Sequence, residues 1–266
     1  MDFPLSRAVA ENLIVLPEVG STNDELVARA TGNGLPEFTA VVTTNQTAGR
    51  GRLDRTWVAP PGQALAVSVL LGPILPDGTK VPLDRYGWIS LIAGLAMTRA
   101  IRRLVVGHDV SLKWPNDVLI DGRKVSGLLS ELLPSGRGVV VGAGLNLTIP
   151  HGALPVPSAT SLLLNGVDLI DDLADRALAG YLRELRTAWS AFLAAGADAD
   201  ASGIRSAVSH ACSTLGQPVR VSLPGGAETV GTAIDIDDDG RLRIRSATDT
   251  QLQTVAAGDI THLRYE

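Results

Sequence analysis

Short apolar runs separated by glycine-, proline- and asparagine-rich breaks set the rhythm of this chain. Residues 12–19 read as a strand, and Ser21-Thr22-Asn23-Asp24-Glu25 then opens a helix. Thr22 and Glu25 have capping-box spacing, and Gly32 to Gly34 supplies the stop. Residues 39–44 form a β-rich run, and the apolar stretch 64–71 predicts a buried strand. From Tyr86 to Leu104 the positions Trp88, Leu91, Ile92 and Leu95 recur at helical spacing, with arginines gathered at the end. Strands are expected over 111–114, 117–120 and 124–132, the last two joined by the hairpin signal Asp121-Gly122. A strand over 139–147, a loop over 150–157 and a helix over 171–195 follow. Strands interspersed with helices, without strict alternation, predict an α+β fold with a mixed sheet.

The pattern changes after the Ala- and Asp-rich stretch 194–202. Only short strands follow, at 219–223, 228–236, 242–245 and 252–256, with Pro224-Gly225-Gly226 and Asp238-Asp239-Gly240 as turns. A small all-β barrel fits this spacing. The expected division is therefore a larger domain over 1–212 and a small barrel over 213–266.

Composition narrows the class. At 45% hydrophobic and 19% charged residues the chain reads as an ordinary globular protein. A net charge of −5 argues against a dedicated nucleic-acid binder. Cys212 is the single cysteine, so no internal disulfide forms and a reducing compartment is expected. The first sixteen residues contain acids and lack an apolar core, and the run 64–75 is broken at Gly72-Pro73. These features predict a cytoplasmic protein with no membrane partner. Sheet edges in such a domain are compatible with a monomer or a weak homodimer.

Against that acidic balance, Gly49-Arg50-Gly51-Arg52-Leu53-Asp54-Arg55-Thr56-Trp57 places three arginines on a glycine-hinged loop. Guanidinium forks suit carboxylate and phosphate oxygens, and glycines let backbone N–H groups approach an anion. The loop reads as an anion clamp, as a solvated surface loop, or as a nucleic-acid contact in which Trp57 stacks on a base. Lys113-Trp114-Pro115-Asn116-Asp117 sets a cation, an indole and a carboxylate side by side at a strand break, although turn formation alone also accounts for it. Lys124 begins a strand whose alternation predicts Lys124, Ser126, Leu128 and Ser130 on one face. That face is either solvent-exposed or the wall of a pocket. Gly72 to Lys80 lacks P-loop spacing, Gly142-Ala143-Gly144 lacks the third glycine of a dinucleotide fingerprint, and the 4 histidines show no zinc-ligand spacing.

Taken in order, these segments resemble the biotin protein ligases, or biotin–[acetyl-CoA-carboxylase] ligases. The matching pieces are Ser21-Thr22-Asn23, Gln46 ahead of the arginine loop, Lys113-Trp114-Pro115-Asn116-Asp117, Lys124-Val125-Ser126-Gly127, Gly142-Ala143-Gly144-Leu145-Asn146 and Ala159-Thr160-Ser161-Leu162. Gly231-Thr232-Ala233-Ile234-Asp235 followed by Asp239-Gly240 resembles the family's small barrel. One departure is Asp54, where the family usually has glycine. The winged-helix DNA-binding domain of repressor-type members is not expected, because the ligase motifs begin at Ser21.

The resemblance implies a biotin–lipoate ligase fold, related to class II synthetases, with a C-terminal SH3-like barrel. It also implies two half-reactions: biotin and Mg-ATP give biotinoyl-5′-AMP and pyrophosphate, and a lysine of a biotin carboxyl carrier domain of an acyl-CoA carboxylase then takes the biotinoyl group. On that basis Arg50, Arg52 and Lys124 are assigned to catalysis on the biotin carboxylate and α-phosphate. Ser21, Thr22, Asn23 and Gln46, with Gly51, are assigned to biotin. Arg52, Arg55, Trp57, Lys113, Asn116, Asp117 and Asn146 are assigned to the nucleotide, and Asp117 to Mg²⁺. A lipoate ligase or octanoyltransferase, and a non-catalytic biotin-binding module, are the alternatives; the polar set Ser21, Thr22, Asn23 and Gln46 favours a ureido head over an alkyl chain.

Overall fold

The computed structural model describes residues 2–52, 55–168, 172–222, 228–246, 252–256 and 259–262. The readings placed on Leu53, Asp54, Asp171 and Pro224-Gly225-Gly226 lie outside them. In chain order the elements are α1 (Pro4–Arg7), β1 (Asn12–Val15), α2 (Thr22–Asn33), β2 (Thr39–Thr43), β3 (Gly49–Arg50), β4 (Thr56–Trp57), β5 (Ala64–Leu71) and α3 (Gly87–Arg102). They continue with β6 (Val110–Lys113), β7 (Asp117–Ile120), β8 (Arg123–Leu132), β9 (Val139–Asn146), α4 (Leu173–Ala194) and α5 (Ile204–Ala211). The last five are β10 (Pro218–Ser222), β11 (Glu228–Ile236), β12 (Leu242–Ser246), β13 (Leu252–Val255) and β14 (Asp259–His262).

Seven strands form one mixed sheet in the order β1-β2-β5-β9-β8-β7-β6, with β1 and β2 parallel and the other neighbours antiparallel. One face is mainly apolar. Leu65, Val67, Val69 and Leu71 of β5 and Val139, Val141, Ala143 and Leu145 of β9 join the main core, which includes Trp88, Ile92 and Leu95 of α3 and Leu178, Leu182 and Leu185 of α4. The other face is divided. Val41, Leu70 and Val140 pack against Leu26 of α2, while Ser68, Ala66, Gly142 and Gly144 follow on the same face at spacing two.

Several sequence expectations shift in register. Ser21, not Thr22, caps α2 and accepts the Asp24 N–H, whereas Glu25 pairs with Arg29 one turn on. The capping side chain must sit on the last extended residue, and Ser21 has φ −143°. The strand expected to Val19 ends at Val15, with Val19 making only a bridge to Gln46. The Asp121-Gly122 turn forms as expected, with φ values of 47° and 77°. The face assigned to Lys124 is corrected by a bulge: Val118 pairs Ser126, but Leu119 pairs Lys124, leaving Val125 extra. Lys124 therefore shares the face of Gly127, Leu129 and Glu131, while Ser130 turns toward α3 and bonds Ser90 at 2.9 Å.

The C-terminal strands form an antiparallel sheet in the order β13-β12-β11-β10-β14, with an irregularity between Ala233 and Asp235 that bends β11 as a small barrel requires. Its Asp238–Gly240 turn seats on the start of α3. Trp88 Nε1 donates to Asp238 O at 2.7 Å, and Trp114 Nε1 donates to Gly240 O at 3.2 Å. Cys212 is buried beside β6, and burial pushes its thiol up. No described helix is long and apolar enough to cross a membrane.

Candidate functional site

The polar end of the divided face is the floor of a cleft of about 510 Å³. Its first row is Ser68, Gly142 and Leu129, and its second is Ala66, Gly144, Gly127 and Asp117. Small residues here are a steric requirement. A Cβ on Gly142 would lie 2.2 Å from Asn23 Oδ1, and one on Gly144 would lie 2.5 Å from the Trp57 ring. The floor thus admits an amide from α2 on one side and an indole from the arginine loop on the other.

The first turn of α2 leans over the upper row. Thr22 N–H donates to Gln46 Oε1 at 2.9 Å, and Thr22 Oγ1 lies 3.2 Å from the same oxygen. Ser68 Oγ donates to Asn23 Oδ1 at 2.6 Å and lies 2.8 Å from Thr22 Oγ1. Asn23 Nδ2 donates to Glu131 Oε2 at 2.5 Å and to Leu129 O at 3.3 Å. Ser21, Thr22 and Asn23 are all buried, so each of these polar atoms needs its partner.

The arginine loop is a narrow hairpin: Gly49 pairs Trp57, Arg50 pairs Thr56, and Gly51 N–H donates to Arg55 O at 2.7 Å. Its two leading arginines differ. The Arg50 guanidinium bonds Glu131 at 2.8 Å and also Asp24. Partial burial lowers its basicity, but the hydrogen bond and charge of Glu131, with those of Asp24, outweigh this and hold it above the ordinary arginine value. Arg52 is deeper and donates to Asn116 Oδ1 at 3.0 Å. Burial depresses it; Asp117 opposes that shift and Arg55 adds to it.

The far wall is the β6–β7 hairpin, in which Lys113 pairs Asp117 around a cis Trp114–Pro115 bond. Asn116 Nδ2 donates to Leu128 O at 2.6 Å, which locks this turn onto β8. Lys124 Nζ meets Asp117 Oδ1 at 2.6 Å. Lys113 is depressed chiefly by burial; Asp117 opposes the shift, and Lys124 and Arg55 reinforce it. Four cations, Arg52, Arg55, Lys113 and Lys124, thus line one pole with one carboxylate, in a chain of net charge −5. Such a pole favours an anionic ligand. Asn146, buried at the end of β9, donates to Thr160 O at 2.8 Å.

Every residue assigned a site role from the sequence lines this one cleft: Ser21, Thr22, Asn23, Gln46, Arg50, Gly51, Arg52, Arg55, Trp57, Lys113, Asn116, Asp117, Lys124 and Asn146. Sequence reasoning quoted Gly127, Gly142, Gly144 and Ala159 within matching segments but gave them no site role, and it missed Ala66 and Ser68 of the floor, the wall at Pro155, Val156 and Ser158, and Glu131 beneath Asn23. The floor had a signal, since small or polar residues recur at 64, 66 and 68 and at 142, 144 and 146. Glu131 had none, because an acid near a strand end reads as solvent-facing.

Comparison with known proteins agrees with this architecture. Residues 16–146 match the biotin/lipoate A/B protein ligase family, and residues 214–263 match the biotin protein ligase C-terminal domain. The chain is 39% identical to a biotin–[acetyl-CoA-carboxylase] ligase of Mycobacterium tuberculosis over 95% of its own length and 89% of that protein's. It is 32% identical to the enzyme of the same name from Paracoccus denitrificans, over 90% and 96% of the two chains. The biotin protein ligase of Aquifex aeolicus, solved with biotin and ATP, superposes with a TM-score of 0.69 at 28% identity, covering 94% and 98%. With both family models matched and 39% identity to a ligase over nearly the whole chain, the chain belongs to the biotin protein ligases of the biotin/lipoate A/B protein ligase family.

Proposed function

We propose that this protein is an ATP-dependent biotin protein ligase that activates biotin as biotinoyl-5′-AMP and passes it to a lysine of a biotin carboxyl carrier domain of an acyl-CoA carboxylase. The observation that carries this reading is one cleft with a buried row of amides and hydroxyls at one end and a cationic pole at the other. The row offers both donors and acceptors, which suits a cyclic urea. The pole suits a carboxylate meeting a phosphate, two anions that otherwise repel. The Aquifex relative solved with biotin and ATP supports this pairing of substrates.

In this mechanism Ser21, Thr22, Asn23 and Gln46 hold the ureido ring, and the glycine floor leaves room for the bicycle. Lys124 and Arg52 draw the biotin carboxylate and the α-phosphate together, with Arg50 contributing from the root of the loop. Lys113 and Arg55 neutralise the remaining phosphates, Asn116 holds Arg52, and Asn146 and Trp57 contact the nucleoside. The carboxylate oxygen then attacks phosphorus in line, and pyrophosphate departs. Catalysis is positioning and charge neutralisation, with no covalent enzyme intermediate. Among the described residues no cluster of three or more His, Cys, Asp or Glu could cage a metal. Mg²⁺ would therefore be held by triphosphate oxygens with Asp117 as the protein carboxylate, and would supply further neutralisation of phosphate charge. Work in the cytoplasm, as a monomer or weak homodimer, completes the reading.

Exchange of labelled pyrophosphate into ATP tests it. Exchange dependent on biotin, and absent with lipoate or octanoate, is the expected result. Exchange driven by lipoate or octanoate assigns the other branch of the family, and biotin binding without exchange assigns a non-catalytic binder.

A further inference from the structure

We propose that Glu131 is a positioning residue of the biotin subsite, fixing the donor–acceptor polarity of the ureido-binding row and tying that row to the root of the arginine loop. The inference rests on the biotin-ligase reading above. Glu131 is beside Val140 on β8, one row removed from the floor, so it stands behind the polar residues rather than among them. Its Oε2 receives Asn23 Nδ2 at 2.5 Å and an Arg50 guanidinium N–H at 2.8 Å.

The polarity argument proceeds atom by atom. A carboxylate oxygen beside a guanidinium can only accept, and so can the Leu129 carbonyl 3.3 Å from the same amide nitrogen. Asn23 must therefore present its NH₂ to β8 and its Oδ1 to Ser68. Ser68 has one proton, and it goes to Oδ1 at 2.6 Å. The Thr22 hydroxyl proton then goes to Ser68 Oγ at 2.8 Å, nearer than Gln46 Oε1 at 3.2 Å, and Gln46 Oε1 takes the Thr22 backbone N–H at 2.9 Å. That leaves a Thr22 Oγ1 lone pair as an acceptor and turns the Gln46 Nε2 amide away from Thr22 as a donor. A cyclic urea presents N–H donors and a carbonyl acceptor, the complement of this pair. Neutral amides and hydroxyls could reverse such a chain at little cost, whereas a carboxylate at its end permits one direction only.

The same oxygen bonds Arg50, which Asp24 also holds, so Glu131 links the order of the ureido row to the root of the loop without being the sole anchor of β3. Glu131 touches no reacting atom in this scheme. Its removal should act on biotin and spare ATP.

The test uses the full chain, measuring pyrophosphate exchange, biotin binding by calorimetry and thermal melting. Glu131→Ala is expected to raise the biotin KM and Kd about tenfold, the scale of one lost hydrogen bond to a charged group, with ATP KM and melting temperature little changed. Glu131→Gln should restore most of the loss, because Arg50, which can only donate, holds the amide oxygen in the place of Oε2, where it still accepts from Asn23. Glu131→Asp, which keeps the charge but withdraws it by one methylene, should again weaken biotin alone and serves if the alanine variant does not fold. The proposal is overturned by Glu131→Ala or Glu131→Asp binding biotin as the parent does, by Glu131→Gln performing no better than alanine, or by biotin and ATP constants worsening together as the melting temperature falls. Absence of biotin-dependent exchange in the parent protein would instead overturn the ligase reading, and this proposal with it.

Discussion

The two ends of one sheet face do opposite work with the same two strands. Toward α2, Leu70 of β5 and Val140 of β9 stand side by side and close a dry cluster with Leu26 and Val41. Two residues along each strand, Ser68 and Gly142 occupy the equivalent positions, and two further along stand Ala66 and Gly144. Backbone, pairing and direction are shared; only side-chain bulk differs. The cleft is thus made by omission, methylenes removed from consecutive rows so that α2 and the arginine loop can reach inward. Stability is concentrated at one end and chemistry at the other.

If that division is right, substitutions at the two ends should separate cleanly. The largest effect is expected from Arg52→Ala at the cationic pole. Loss of one preorganised donor should lower kcat for biotin-dependent exchange about 10²–10³-fold, roughly 2.7–4 kcal/mol, with the melting temperature scarcely moved. Leu70→Ala at the dry end should do the reverse. Denaturant titration should find a stability loss of about 2–5 kcal/mol with unaltered biotin affinity. The smallest effect concerns Lys113. Burial holds its ammonium below the ordinary 10.5, so at neutral pH the folded state bears a desolvation cost that the unfolded state does not. Lys113→Met should therefore melt higher than the parent near neutral pH. That advantage should shrink as pH rises through the depressed folded value toward 10.5, where the parent sheds the proton and the cost. ATP KM should rise in the same variant, because the cation that destabilises the empty cleft is the one that meets phosphate.

Much of this architecture is legible in the sequence because local signals and tertiary demands agree. The Asp121-Gly122 hairpin, the buried 64–71 strand and the long helix expected over 171–195, found at Leu173–Ala194, all carry strong periodicity or turn chemistry. The cleft-lining residues were legible through their types, since arginines between glycines and a polar triplet before a helix have few purely structural uses. What sequence could not reveal was orientation. The extra residue Val125 reverses the face of Lys124, and nothing in Lys124-Val125-Ser126-Gly127 signals a bulge, which arises from pairing with β7. Arg50 and Arg52 both follow a glycine, yet one turns to Asp24 and Glu131 and the other to Asn116, because Arg50 lies on β3 while Arg52 lies past its end, beyond the Gly51–Arg55 backbone bond. Glu131 was invisible for the same reason: its partners lie more than eighty residues away at Arg50 and more than a hundred away at Asn23.

The most direct test of a site made by omission is to add one methyl group at the cleft end, remove side-chain bulk at the dry end, and titrate biotin. A Cβ on Gly142 would fall 2.2 Å from Asn23 Oδ1, so Gly142→Ala should displace that amide and weaken biotin binding about tenfold to a hundredfold in calorimetry. Leu70→Ala, on the same face beside Val140, should bind biotin within about twofold of the parent. Biotin affinity unchanged in Gly142→Ala, or lost equally in both variants, would contradict the account.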